Sequence, residues 1–174
     1  MKRSIVVIAF VLICCVTVVV SSNAAVYNGH EYQLTVTAMQ WAAAEAAAVT
    51  AGGHLVTIND AAEQAWLQNT FLGSGTYWIG LTFKLQGWTW VWSSGEPVTS
   101  YTNWASGEPN NSGGSEFSGT LRNFSPYNGA WNDESGGYSY FGIVETIAPV
   151  PIPPAVWLLG SGLIGLIGIR RFRR

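Results

Sequence analysis

Residues 25–146 predict a single α+β domain, two helices set among short strands with one long irregular loop before the last strand. Three observations carry this. Apolar residues switch between a spacing of two and a helical spacing as the chain proceeds. Trp88, Trp90 and Trp92 alternate at period two, which predicts one aromatic face of a strand. Residues 93–137 are mostly Gly, Ser, Asn, Pro and Thr punctuated by aromatics, too long for a passive connection and therefore a candidate for function.

In chain order, Tyr27, Asn28, Gly29 and His30 predict a turn, and residues 31–36 alternate as a first strand does. Thr37 with Gln40 has the form of a capping box opening a helix whose apolar stripe is Trp41, Ala44 and Ala48. Gly52 and Gly53 end it, and residues 54–58 predict a short strand. Asn59 and Asp60 cap a second helix, with Glu63 in its first turn and Ala62, Trp66, Leu67 and Phe71 on one face. Residues 77–81 follow as a buried strand, and residues 138–145 close the domain. His30 and His54 are isolated in sequence and expected to be structural strand-end residues, and Trp104 and Trp131 to be packing supports of the loop.

The two ends differ from this middle. Lys2 and Arg3 precede an apolar run over residues 5–20 and a small polar stretch to Ala24, the form of a secretory signal peptide over residues 1–24; an uncleaved anchor is the other reading. Residues 150–154 are proline-rich, 155–169 are apolar, and Arg170, Arg171, Arg173 and Arg174 close the chain. As a helix the apolar run is about 22 Å long, against a hydrocarbon core of about 30 Å. The proline-rich head, the body around Trp157 to Leu163 and the arginine tail together resemble the PEP-CTERM sorting signal of Gram-negative bacteria, although the Glu of its usual head is missing. That resemblance implies a sorting segment over residues 147–174. It also implies transient insertion in the inner membrane, processing by an exosortase, and final placement at the cell surface or in an exopolysaccharide matrix. An ordinary C-terminal anchor is the alternative.

Between these ends lie all ten acidic residues but only Lys84 and Arg122 of the eight basic ones, a formal charge of −8. Such a domain repels nucleic acid and anionic membranes and attracts divalent cations. Both cysteines, Cys14 and Cys15, fall in the leader, so the domain is expected to hold without disulfides.

Within the long loop Glu108, Pro109 and Asn110 are followed by Glu116, and later by Trp131, Asn132 and Asp133. Three carboxylates and two amides, with no imidazole or thiolate, suit calcium rather than zinc. Calcium takes six to eight oxygens, so backbone, water or a ligand must complete the set. A solvated acidic loop without metal is the alternative that composition alone favours.

The ordered series Trp41, Ala44, Gly52 to Leu55, Trp78 to Leu81, Tyr101 to Trp104, Gly107 to Asn110, Glu116 and Trp131 to Asp133 resembles the C-type lectin family. The resemblance implies a C-type lectin-like fold, a cis bond at Glu108–Pro109, and a calcium ion held by Glu108, Asn110, Glu116, Asn132 and Asp133. It further implies that Glu108, Asn110, Glu116 and Asn132 bind carbohydrate of the mannose type. An ionised Glu only accepts while Asn both donates and accepts, so the pair can read two neighbouring hydroxyls. The family's four core cysteines correspond to Ala48, Ser118, Gly136 and Val144. Three functions follow as expectations. The first is calcium-dependent binding of a glycan or exopolysaccharide, the second a calcium-stiffened adhesion module for a protein, and the third an enzyme acting on polysaccharide. The last is disfavoured because Glu108 and Glu116, the only near acid and base, are better used as ligands.

Overall fold

A computed structural model describes residues 24–149 apart from position 99; the expected leader and the sorting segment beyond Pro149 lie outside them. Among the described residues no helix is long and apolar enough to cross a membrane.

The chain enters as β1 (Ala25–Tyr27), turns through Asn28 and Gly29, and returns as β2 (His30–Leu34). Helix α1 (Trp41–Thr50) follows, then β3 (His54–Leu55), α2 (Ala61–Trp66) with a π-helical continuation Leu67–Phe71, and β4 (Gly75–Lys84). Next come β5 (Thr89–Trp92), β6 (Ser118–Asn123), β7 (Ala130–Glu134) and β8 (Phe141–Ile147). One sheet runs β1-β2-β8-β4-β6-β7, with β3 paired to β8 and β5 to β4. The α+β class is as expected. The strand pairs are antiparallel except one parallel contact, β4 against β8 at Tyr77–Phe141 and Trp78–Gly142.

Helix α1 buries Ala44 and Ala48 against Leu55, Trp78 and Val144. Small side chains let the helix axis approach the sheet, while Trp41 spans the gap and donates its indole N–H to the Ile79 carbonyl at 2.9 Å. The capping box expected of Thr37 and Gln40 does not form. Gln40 is the N-cap and makes no side-chain cap bond, because Met39 just before it bridges to Tyr140 and the Trp41 N–H donates to the Gly136 carbonyl. The strand expected over residues 54–58 keeps ladder pairing only at His54 and Leu55, although Val56 still donates to Ile143 at 2.8 Å.

Asp60 caps α2 as expected, accepting from the Ala62 and Glu63 amides at 2.8 Å each. The inward face differs. Ala62 is exposed while Glu63 and Gln64 are buried, because Tyr32 donates to Glu63 at 2.7 Å and the Trp131 indole donates to Gln64 at 2.8 Å. Leu67 and the rings of Trp66 and Phe71 pack into or against the main core, as expected. Trp88 also departs from expectation. It sits in the turn before β5 with φ +51° and is 78% exposed, so only Trp90 and Trp92 share the strand face.

The long loop expected over 93–137 contains β6 and β7. Apart from Leu121 and Trp131 their residues are small or polar, and the sheet orders them, β6 pairing with β4 and β7 with β6. Gly119 lies so close to β4 that an added Cβ would stand 2.6 Å from that of Leu81. The described residues contain no cysteine. At the expected equivalents, Ala48 and Val144 share one packed cluster, and a Cβ on Gly136 would lie 2.9 Å from the Ser118 hydroxyl. Side-chain packing stands where the family would place two cross-links.

Candidate functional site

The site is built outward from Trp131. Its fully buried ring meets the edges or faces of Trp92, Tyr101 and Trp104 at 5.7, 5.8 and 5.9 Å between centroids. Its backbone binds the loop on both sides. The Trp131 N–H donates to the Asn103 carbonyl at 2.7 Å, and the Ala105 N–H donates to the Trp131 carbonyl at 2.8 Å. Trp104 and Trp131 are thus the packing supports expected of them. The loop lies along β7, and the next two residues, Asn132 and Asp133, fall beside it.

Asp133 is wholly buried and holds the loop by its carboxylate. One oxygen accepts from the Asn110 amide at 3.1 Å and the other from the Asn111 amide at 2.7 Å. Glu116 does likewise for the next turn, accepting from the Ser112 amide at 2.6 Å, while its own N–H donates to the Asn111 side-chain oxygen at 3.0 Å. The Glu108–Pro109 bond is cis, as the resemblance implied; Ser125–Pro126 is cis as well.

Glu108 completes the group. Its Oε2 is buried and has no hydrogen-bond partner. Burial first, then hydrogen bonding with the Asp133 carboxyl and the Asp133 and Glu116 charges, push its carboxyl above the usual range, with Arg122 opposing. Glu116 is raised too, by burial and by Asp133 and Glu134 against the lowering effect of the Ser112 amide. Arg122 is spoken for, paired with Glu134 at 3.1 Å and lying over the Tyr127 ring.

Four of the five expected ligands, Glu108, Asn110 and Glu116 of the loop and Asp133 of β7, are therefore linked through contacts or charge. Asn132 is buried next to them, with its side-chain amide donating to the Asp133 carbonyl. No group of three or more His, Cys, Asp or Glu among the described residues is arranged as a ready metal cage. The carboxylates of Asp133 and Glu116 are turned onto loop amides instead. The donor chemistry still fits a hard cation. It is all oxygen, it is mutually repulsive, and it includes a buried carboxylate oxygen with nothing to bind.

Sequence reasoning missed Asn111 and Gln64, which organise the loop and anchor Trp131 respectively. Asn111 has a signal, since Asn tolerates the left-handed conformation it adopts at φ +48°. Gln64 has none. The two histidines are strand-end residues as expected, His30 on Glu145 at 2.6 Å and His54 on Glu45 at 2.7 Å.

The fold and this loop define a class that the comparisons then make explicit. The family model described as "Lectin C-type domain" matches residues 37–142, more than half of the chain, and the chain belongs to that family. A type-2 ice-structuring protein of Hemitripterus americanus is 42% identical over 62 residues, which cover 36% of this chain and 37% of that protein. The chain thus spans little more than a third of that relative's length. Among solved structures, the C-type lectin CEL-I of Cucumaria echinata is similar with a TM-score of 0.65 and 28% identity, covering 74% of this chain and 99% of that one. A calcium-independent type II antifreeze protein gives 0.65 and 27%, covering 75% and 96%. These relatives are lectins and antifreeze proteins, and nothing among them points to catalysis.

Proposed function

We propose that this protein is an exported, calcium-dependent carbohydrate-binding protein acting at the cell surface or within an exopolysaccharide matrix. Residues 1–24 serve as its leader, 25–146 as the binding domain and 147–174 as an exosortase-processed sorting segment that passes through the inner membrane. Membership of the lectin family supports the binding class. The observation that carries the calcium reading is the buried, unpartnered Glu108 Oε2 beside Asp133 and Glu116.

In this reading Glu108, Asn110, Glu116, Asn132 and Asp133 hold the calcium. The ion supplies a positive centre on which sugar hydroxyls complete an oxygen shell. Glu108, Asn110, Glu116 and Asn132 bind those hydroxyls, carboxylates accepting and amides donating, which orients two neighbouring hydroxyls relative to the loop. Trp131 keeps the loop in register with β7.

The test is retention of the full chain, in detergent, on mannose-agarose. Binding in calcium and release by chelator are expected; retention indifferent to chelator, or none with calcium present, sinks the reading.

A second reading is a structural or adhesion module with a protein partner. The hydrogen bonds from Asp133 and Glu116 to loop amides favour it, since they order the loop from within, and a calcium-independent relative is at hand. Under it, calcium only stiffens the loop, so chelation lowers the melting temperature while no sugar competes with calcium-dependent surface attachment.

A further inference from the structure

Gln64 lies on α2, outside the set of calcium ligands, yet it is only 3% exposed and its side chain is almost fully used. Its oxygen accepts from the Trp131 indole N–H at 2.8 Å, and its NH2 donates to the Gly129 carbonyl and to the Gln68 oxygen, each at 3.1 Å. A side-chain amide is costly to bury unless such bonds are made. A helix that needed only to pack would carry an apolar residue here, as it does at Leu67. The amide is therefore present for what it holds.

It holds the β6–β7 turn and the start of β7. Gln68, in the π-helical segment, donates to the Asn128 carbonyl, and Asn103 of the loop donates to the same Gly129 carbonyl at 3.1 Å. Gly129 leaves no room for a side chain, since an added Cβ would stand 2.0 Å from the Gln68 amide nitrogen. Helix, turn and loop thus meet just before Trp131.

Trp131 in turn joins the two halves of the ligand set. Along the chain it leads into Asn132 and Asp133, and period-two alternation puts Asp133 on the same side of β7 as the Trp131 ring. Across the chain its backbone N–H and carbonyl bond Asn103 and Ala105, at the start of the segment that brings in Glu108 and Asn110. Trp92, Tyr101 and Trp104 pack around the ring, and such contacts leave it free to slide. The indole has a single polar atom, and the bond from that atom to Gln64 fixes where the ring stops.

We propose that Gln64 is a positioning residue for calcium binding, which by holding the Trp131 indole sets Asn132 and Asp133 in register with Glu108, Asn110 and Glu116 from outside the ion's shell. The inference rests on the calcium reading above and adds to it a control exerted from α2.

The experiment measures calcium affinity by calorimetry, and melting temperature, for the full chain in detergent. The variants are Gln64→Met, Trp131→Phe, the two combined, and Asp60→Ala. Gln64→Met nearly keeps the volume and is expected to bind calcium about tenfold more weakly, within the range of couplings carried by residues that touch no ligand. Trp131→Phe keeps a ring without the N–H, should lose a similar factor, and carries the test if Gln64→Met does not fold. The combined variant should lose no more than the larger single loss, because both changes remove the same bond. Asp60→Ala weakens the same helix at its cap and should stay within about twofold of the parent. In the parent, the indole N–H resonance that Trp131→Phe abolishes should shift when calcium is added. Calcium affinities of Gln64→Met and Trp131→Phe within about twofold of the parent, a loss in Asp60→Ala as large as theirs, or losses that add in the combined variant overturn the positioning role while leaving the calcium reading intact. A parent that binds no calcium overturns both.

Discussion

Glu63 shows how a buried carboxylate can support a fold and oppose it at once. Its two oxygens accept from the Tyr32 hydroxyl at 2.7 Å and the Asn59 amide at 2.9 Å, yet burial raises its pKa despite those bonds, and the Glu145 and Asp60 charges add to the rise. A carboxyl raised by folding contributes stability below its ordinary pKa, about 4.3, and loses that contribution as pH climbs through the raised value. Glu63→Gln removes the ionisation, and the Tyr32 hydroxyl can turn toward Glu145, 3.4 Å away, while accepting from the new amide. The variant is expected to melt above the parent near neutral pH, with the gain shrinking toward about pH 4; a melting difference that ignores pH removes the argument. At the loop, Glu116→Gln should weaken calcium binding measured by calorimetry while leaving the fold intact, since one oxygen remains to accept from Ser112. Much of this loop chemistry was legible, because residue type alone reveals an all-oxygen set. The partners were not. Nothing in Gln64 announces that it will receive the Trp131 indole across 67 residues.

Elements were legible where their signals are local and obscure where burial comes from elsewhere. The Asp60 cap was read correctly, and Asp60→Ala should cost about 1 kcal/mol in denaturant unfolding through loss of two amide partners. The capping box at Thr37 and Gln40 was misread because a β-bridge from Met39 to Tyr140 claims the approach to α1. Strands β6 and β7 were read as loop because their residues carry little apolar alternation. Their place depends on contact with β4, which Gly119 permits. Gly119→Ala should therefore destabilise by more than an ordinary surface change, its new carbon lying 2.6 Å from the Leu81 Cβ. A melting temperature unchanged by that substitution would show the strands to be looser than described.

Residues 25–146 carry a formal charge of −8, and the family loop with β7 gathers three of their ten carboxylates. Calcium affinity should fall as pH is lowered, because Glu108 and Glu116, both held above the ordinary range, take up protons before unperturbed carboxyls do; calorimetric titration at several pH values checks this. Removing calcium should also lower the melting temperature most at neutral pH, where those charges repel fully. The sheet order adds a mechanical corollary. β1 and β8 flank β2, so the points where the chain enters and leaves stand about 12 Å apart by strand spacing, and β7 with its loop occupies the other end of the path. Tension drawn between residues 25 and 147 falls first on the β1–β2 and β2–β8 ladders and on the Tyr27 ring stacked against Trp66 at 4.9 Å. The region around Trp131 lies at the far end of the strand order, so a pulled domain is expected to part at its ends before the loop comes away from β7.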